Sequence, residues 1–165
     1  MKNLNAFAEK CMAKLDDLHI EYGHILSVDV NRRAKKRWGQ AKTVAPWAYS
    51  ININERLLQD DAPDKALEET LLHEMLHTCE GCMNHGKKWA ELAEMVNRAY
   101  GYNIKRTNSA EEKGVEYEVQ ENPRNYRFVC QKCGGEITRQ RASKFVKNYQ
   151  RYICGQCGGR FKRVM

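Results

Sequence analysis

The chain has 165 residues, 42% hydrophobic and 30% charged, with a formal charge of +7, which leaves room for one modest domain and a small appendage and excludes two full domains. No apolar run near the N-terminus is long enough for a signal peptide and no segment approaches the ~20 residues of a membrane span, so a cytoplasmic protein with no membrane partner is expected. Seven cysteines is an odd count that argues against a disulfide framework.

In chain order, Leu4, Phe7, Ala8, Cys11, Leu15 and Leu18 recur at helical spacing and predict an amphipathic helix over residues 3–20. Leu26, Val28 and Val30 alternate with Ser27, Asp29 and Asn31, the period of a half-buried strand. The basic run Arg32-Arg33-Ala34-Lys35-Lys36-Arg37 follows. Such a run serves equally as a solvated strand edge protected by like charges or as a nucleic-acid contact. Trp47 to Ile53 reads as a further strand with Tyr49, Ile51 and Ile53 on one face, and Asn54 is placed to cap a short helix through Leu58.

Leu67, Leu71 and Met75, with Leu72, Leu76 and Cys79, predict a helix over residues 64–80. Asp61, Pro63 and Asp64 supply its start and Gly81 its stop. On that helix lies His73-Glu74-Met75-Leu76-His77. Side chains at i and i+4 share a face, so His73 and His77 can grip one metal ion, with Glu74 placed as a general base. Two imidazoles and one more protein ligand leave a fourth zinc position open, the arrangement of a catalytic site. Cys79, Glu80, Cys82, His85, Glu91 and Glu94 are all within chain reach as the third ligand. His85 is favoured because Gly81 lets the chain turn back beneath the metal; Glu91 or Glu94 is the main competitor, while Cys79 reads as core packing and Cys82 as a loop thiol. Trp89, Leu92, Ala93, Val96 and Tyr100 then predict a last helix, stopped at Gly101.

Helix, a few antiparallel strands, then helices describe an α+β domain over residues 1–102. Residues 103–123 offer little that could pack and read as a linker with one extended segment, Val115 to Val119. In residues 124–165, Cys130-x-x-Cys133 and Cys154-x-x-Cys157 have the spacing of a structural four-cysteine zinc ribbon, and the glycines after each pair let backbone amides turn toward the sulfurs. That segment carries eleven Lys or Arg against Glu136 alone, or +10, whereas the other 123 residues carry 17 basic and 20 acidic side chains, or −3. The asymmetry is a footprint for polyanions. Arg139, Arg141, Lys144, Lys147, Arg151, Arg160, Lys162 and Arg163 are the candidate nucleic-acid contacts. Tyr126, Phe128, Phe145, Tyr149 and Tyr152 interleave them and read chiefly as the ribbon's own core.

Asn31-Arg32-Arg33-Ala34 through Trp38-Gly39, Ile51-Asn52-Ile53-Asn54, the His73 to His77 motif, His85-Gly86-Lys87-Lys88-Trp89 and the ribbon's Tyr126-x-Phe128-x-Cys130 and Arg151-Tyr152-x-Cys154 together resemble the SprT-like metalloproteases, which include the Spartan proteases acting on DNA-protein crosslinks. The resemblance implies a compact zincin-like fold, His73, His77 and His85 as ligands of a catalytic zinc, and Glu74 as base; the cysteine spacing already calls for a second, structural zinc in the ribbon. It also implies proteolysis of DNA-associated proteins with DNA as activator. Recruitment through the long tails of animal members is not expected to transfer. The edge along which an extended substrate pairs is expected to be Tyr49 to Asn54. The competing class is a non-proteolytic, zinc-ribbon nucleic-acid-binding or transcription accessory protein. Glu74 argues against it, because a purely structural metal needs no base beside its ligands.

Overall fold

In the computed structural model, which describes residues 1–115 and 126–165, the chain divides into two units, residues 1–117 and 118–165. The first is α+β, with elements in the order α1 (Leu4–Asp17), β1 (His24–Asn31), β2 (Gly39–Ala45), β3 (Ala48–Asn54), a 3-10 turn (Glu55–Leu58), α2 (Asp64–Leu76) and α3 (Lys87–Tyr100). Asn3 caps α1 through a hydrogen bond from the Ala6 N–H, and Asn54 caps the 3-10 turn in the same way through Arg56. Gly101, with φ of +70°, closes α3 in the left-handed conformation that glycine adopts without strain.

α2 is the centre of the unit. Its residues from Ala66 to Leu72 and from Glu74 to Leu76 are all buried, because α1, the sheet, α3 and the chain after α3 leave it almost no exposed face. Leu15 of α1, Ile51 and Ile53 of β3, Leu67, Leu71 and Met75 of α2 and Val96 of α3 are fully enclosed in one core. The polar residues that this forces inside are paired. Glu68 accepts from Lys10 at 2.6 Å and Lys14 at 2.8 Å, and also from the Tyr102 hydroxyl, while Glu69 accepts from the Asn103 N–H at 2.7 Å.

The sheet differs from expectation in two respects. Its order is β1-β3-β2, with β1 parallel to β3 and β2 antiparallel to it, so it is mixed rather than antiparallel. Tyr49 to Asn54 therefore lies in the central strand, with both edges paired, and cannot receive a substrate strand; β2 provides an edge instead. In β1 the register slips between Ile25 and Ser27, a bulge that pushes Leu26 outward (52% exposed) while Ile25 and Val28 pack on the core.

α2 also ends earlier than the apolar pattern suggests, at Leu76, because the Thr78 and Cys79 N–H groups bond back three residues to Met75 and Leu76 in a tightened last turn. Its N-cap is Pro63 with no side-chain bond, so Asp61 does not cap it. Residues 103–115 are not a linker. Asn97 and Ile104 exchange two hydrogen bonds at 2.7 and 2.9 Å, Ile104 and Lys113 are each 5% exposed, and Ser109 and Glu112 bond each other's backbone N–H as a capping box does. The segment is held by polar side chains meeting backbone, which leaves no apolar period in the sequence. Beyond Val115, the expected extended segment and the rest of the linker lie outside the described residues.

The second unit is a three-stranded antiparallel sheet in the order β5 (Glu136–Arg139), β4 (Tyr126–Cys130), β6 (Phe161–Arg163), with the short helix α4 (Lys144–Asn148). Phe128 is fully buried, 5.0 Å between ring centroids from both Phe145 and Tyr149. These aromatics are the unit's own core, and Tyr152, 42% exposed, is the ring left at the surface. No helix among the described residues is long and apolar enough to cross a membrane.

Candidate active site

His73 sits in the last turn of α2 and His77 at its C-cap, where φ of −66° and ψ of −19° keep the helical path and preserve the i, i+4 stacking. The chain then turns through Gly81, at φ of +75°, and brings His85 back to them. The three Nε2 atoms lie 3.3 Å (His73 to His77), 3.1 Å (His77 to His85) and 3.0 Å (His73 to His85) apart. Three nitrogens about 2.0–2.1 Å from a tetrahedral zinc are separated by roughly 3.3–3.4 Å, so the triangle fits that ion closely. The His77 Nδ1 lies 2.7 Å from the Cys82 carbonyl, which makes Nδ1 the protonated nitrogen and turns the Nε2 lone pair toward its neighbours. Three imidazole nitrogens converging in this way form a ligand set for a cation. Glu91 and Glu94, on exposed α3 positions, do not join the cluster.

Trp89 is the platform beneath this trio. It is buried, stacks on His77 with ring centroids 5.5 Å apart, and meets His73 and His85 edge-on at 4.8 and 4.6 Å. Its apolar surface, with the rest of the core, explains the charge state of the imidazoles. Burial first, and then the neighbouring His77, His85 and Lys113, lower the His73 pKa to about 3; burial likewise lowers His77 and His85. Neutral imidazole is the metal-binding form.

Glu74 points the other way around the helix, toward β2. Its Oε2 accepts the Ala41 N–H at 2.8 Å, and Gly39 lies so close that a methyl group there would sit 2.7 Å from its Cγ and Oε1. Burial pushes the Glu74 carboxyl up to about 7, with the Ala41 N–H, Arg37 and Lys113 each pulling it back down. The Trp38 carbonyl accepts from the Asn54 N–H, so residues 38, 40 and 42 face β3 and residues 39, 41 and 43 present their backbone outward; the Ala41 bond to Glu74 obeys this alternation. The free edge of β2 thus runs along the wall of the site.

All these groups open on one cleft of about 390 Å³, whose lining includes Lys36, Arg37, Gln40, Thr70, Met83, Arg106, Thr107, Asn108 and Lys113 besides the histidines and Glu74. A model of the SprT-like family matches residues 8–108. The chain belongs to the SprT-like family. The match spans α1 through the cleft-lining residues Arg106, Thr107 and Asn108 and stops short of the ribbon. No curated protein and no solved structure matches the chain. Sequence reasoning missed Trp89 as the platform, β2 as the edge and Arg106, Thr107, Asn108 and Lys113 as cleft wall in this SprT-like chain. The Ser109-x-x-Glu112 pattern was the one local signal that the last of these is ordered.

In the second unit, Cys130, Cys133, Cys154 and Cys157 come together, with sulfur separations of 3.4 Å (Cys130 to Cys157) and 3.7 Å (Cys133 to Cys154) against roughly 3.8 Å for tetrahedral zinc. Each pair sits on the same knuckle. The Gly134 N–H bonds to the Cys130 carbonyl at 2.9 Å and the Gly158 N–H to that of Cys154 at 2.8 Å, both glycines at φ near +70°. N–H groups of Cys133 and Lys132 aimed at the Cys130 sulfur lower its pKa to about 6, favouring thiolate. Four protein sulfurs leave no open position, so this second cluster fits a structural metal. Arg139, Arg141, Lys144, Lys147, Arg151, Arg160, Lys162 and Arg163 are all exposed. Three of them are positioned by neighbours: Arg139 lies over Phe145, Arg163 over Tyr126, and Arg160 donates to the Gln150 carbonyl at 2.7 Å.

Proposed function

We propose that the chain is a zinc-dependent endopeptidase that cuts proteins associated with or crosslinked to DNA, working in the cytoplasm with one catalytic and one structural zinc. The observation that carries the peptidase reading is the triangle of three Nε2 atoms beside a buried carboxylate, in a cleft bordered by a free strand edge. His73, His77 and His85 would hold the zinc, which would supply Lewis-acid polarisation of the scissile carbonyl and a more acidic water. Glu74 is the residue that moves the proton. Its Oε2 is fixed by the Ala41 N–H, which leaves Oε1 to take the proton from the attacking water and pass it to the leaving amine. A carboxyl raised toward neutrality by burial suits both transfers. The outward backbone of β2, apart from the Ala41 N–H that Glu74 occupies, orients an extended substrate by strand addition, which fixes a peptide without requiring a particular sequence.

The ribbon supports the DNA half of the reading. Its charge of +10 and its exposed cations favour a polyanion, and enzyme and target held on one DNA molecule gain effective concentration rather than intrinsic activity. The test is cleavage of a DNA-bound protein with and without DNA, before and after chelation and zinc return. Much faster cleavage with DNA, abolished by chelation and restored by zinc, is expected. Equal rates with and without DNA overturn the gating, and zinc-independent cleavage overturns the peptidase reading.

A further inference from the structure

The basic run after β1 is a fixed element, not a loose solvated loop. Asn31 Oδ1 accepts the N–H groups of Arg33 and Ala34, both at 3.0 Å. Asn54, 4% exposed, spends both amide protons on the carbonyls of Ala34 and Arg37, also at 3.0 Å, while its Oδ1 accepts from Arg56. Asn31 and Asn54 are partners in the β1–β3 register, so the sheet itself holds this turn. The turn walls a second pocket of about 400 Å³, lined by Arg33, Lys35, Lys36 and Arg37 with Asn31, Ala34 and Gln40 and by no acidic residue. Lys36, Arg37 and Gln40 also line the cleft that holds the histidines. In that cleft Arg106 and Lys113 add two more cations, and the lining carries a single carboxylate, Glu74.

A groove of this sign is out of character with its surroundings, since residues 1–123 are −3 overall. We propose that it is a substrate subsite for acidic side chains: the enzyme prefers segments carrying Asp or Glu beside the scissile bond, with the pocket bounded by Arg33 and Lys36 taking a carboxylate. This inference rests on the peptidase reading. A peptide is favoured over a nucleic-acid strand as the occupant because the pocket shares Lys36, Arg37 and Gln40 with the cleft of the reacting groups, and Gln40 lies at the start of β2, along which the substrate backbone is proposed to run. Arg33, Lys35, Lys36 and Arg37 are exposed, so their contribution to binding is screened by salt.

The test uses the full zinc-loaded chain and three fluorescent peptides of one sequence whose flanking positions are Glu, Gln or Lys. Binding by anisotropy is measured on Glu74→Gln, and cleavage on the wild type. The Glu peptide is expected to bind about tenfold more tightly than the Gln peptide, with the gap closing as salt rises. Introducing Arg33→Glu with Lys36→Glu is expected to remove the preference for the Glu peptide. Equal binding of Glu and Gln peptides overturns the inference, even where all are cleaved. Loss of binding to a short single-stranded oligonucleotide in that double variant, with the Glu preference intact, also overturns it and makes the groove a nucleic-acid site. Failure to cleave any peptide while the Glu preference persists overturns the peptidase reading instead.

Discussion

Replacing Gly39 with alanine puts a methyl group where Glu74 now lies. The new Cβ falls 2.7 Å from Glu74 Cγ and Oε1, against about 3.5 Å for an ordinary carbon contact, so the carboxylate has to retreat by roughly 0.8 Å. It cannot do so freely, because Oε2 is tied to the Ala41 N–H on the same strand. Overpacking of this kind costs about 1–3 kcal/mol of stability. Displacing a general base by most of an ångström lowers kcat about 100-fold. The three atoms nearest the new methyl group all belong to Glu74, so zinc content is expected to match the wild type. The assay is steady-state cleavage of an unfolded protein, with zinc counted and urea unfolding measured on the same preparations. Gly101→Ala is the control: it strains a left-handed position with open space around it and is expected to cost about 1 kcal/mol with kcat intact. Wild-type kcat and stability in Gly39→Ala would refute the placement of Glu74 against β2.

Asn54→Ala removes three hydrogen bonds that fix the basic turn and the 3-10 cap and is expected to lower stability by about 2–3 kcal/mol in urea unfolding; no change would mean the turn is not held as described. Glu68 contributes stability that depends on pH. Burial alone would raise its pKa, but hydrogen bonds from Lys10, Lys14 and Tyr102 outweigh this and hold it at about 2, below the ordinary value of about 4.3. A depressed carboxylate stabilises the fold above its unfolded pKa and loses that contribution as pH falls through the folded one. Stability of the wild type should therefore drop between about pH 5 and pH 2 more steeply than that of Glu68→Gln, and parallel curves would contradict the network. Chelation is expected to unfold residues 126–165, read as loss of hydrogen-exchange protection at Phe128 and Val129, since so small a core depends on the four sulfurs. Protection that survives complete zinc removal would refute a structural role for the metal.

The clustering of the three histidines and of the four cysteines was more legible in the sequence than the sheet. His73, Glu74 and His77 are fixed by helical geometry alone, and the two cysteine pairs by local knuckles, so spacing was enough for both. His85 required only that a glycine turn the chain. Strand order is a different kind of fact. Nothing local in Tyr49 to Asn54 says that β1 and β2 both pair with it, because the alternation that marks a strand is the same for a central strand and an edge. β2 itself, Gly39-Gln40-Ala41-Lys42-Thr43-Val44-Ala45, lacks a buried apolar face and gave no periodic signal. Residues 103–115 were hidden for a related reason: they are attached by Glu69 and Asn97 meeting backbone and braced internally by Glu112, a mode of packing that leaves a polar sequence polar.

The central claim is that Glu74 moves the proton in a zinc-dependent peptide hydrolysis. Its most direct test is the cleavage rate of an unfolded protein by wild type and by Glu74→Gln, with zinc counted in both. Two zinc per chain in each, with cleavage by the wild type and none by the variant, is the predicted result. Cleavage by a zinc-loaded Glu74→Gln at the wild-type rate would contradict the account.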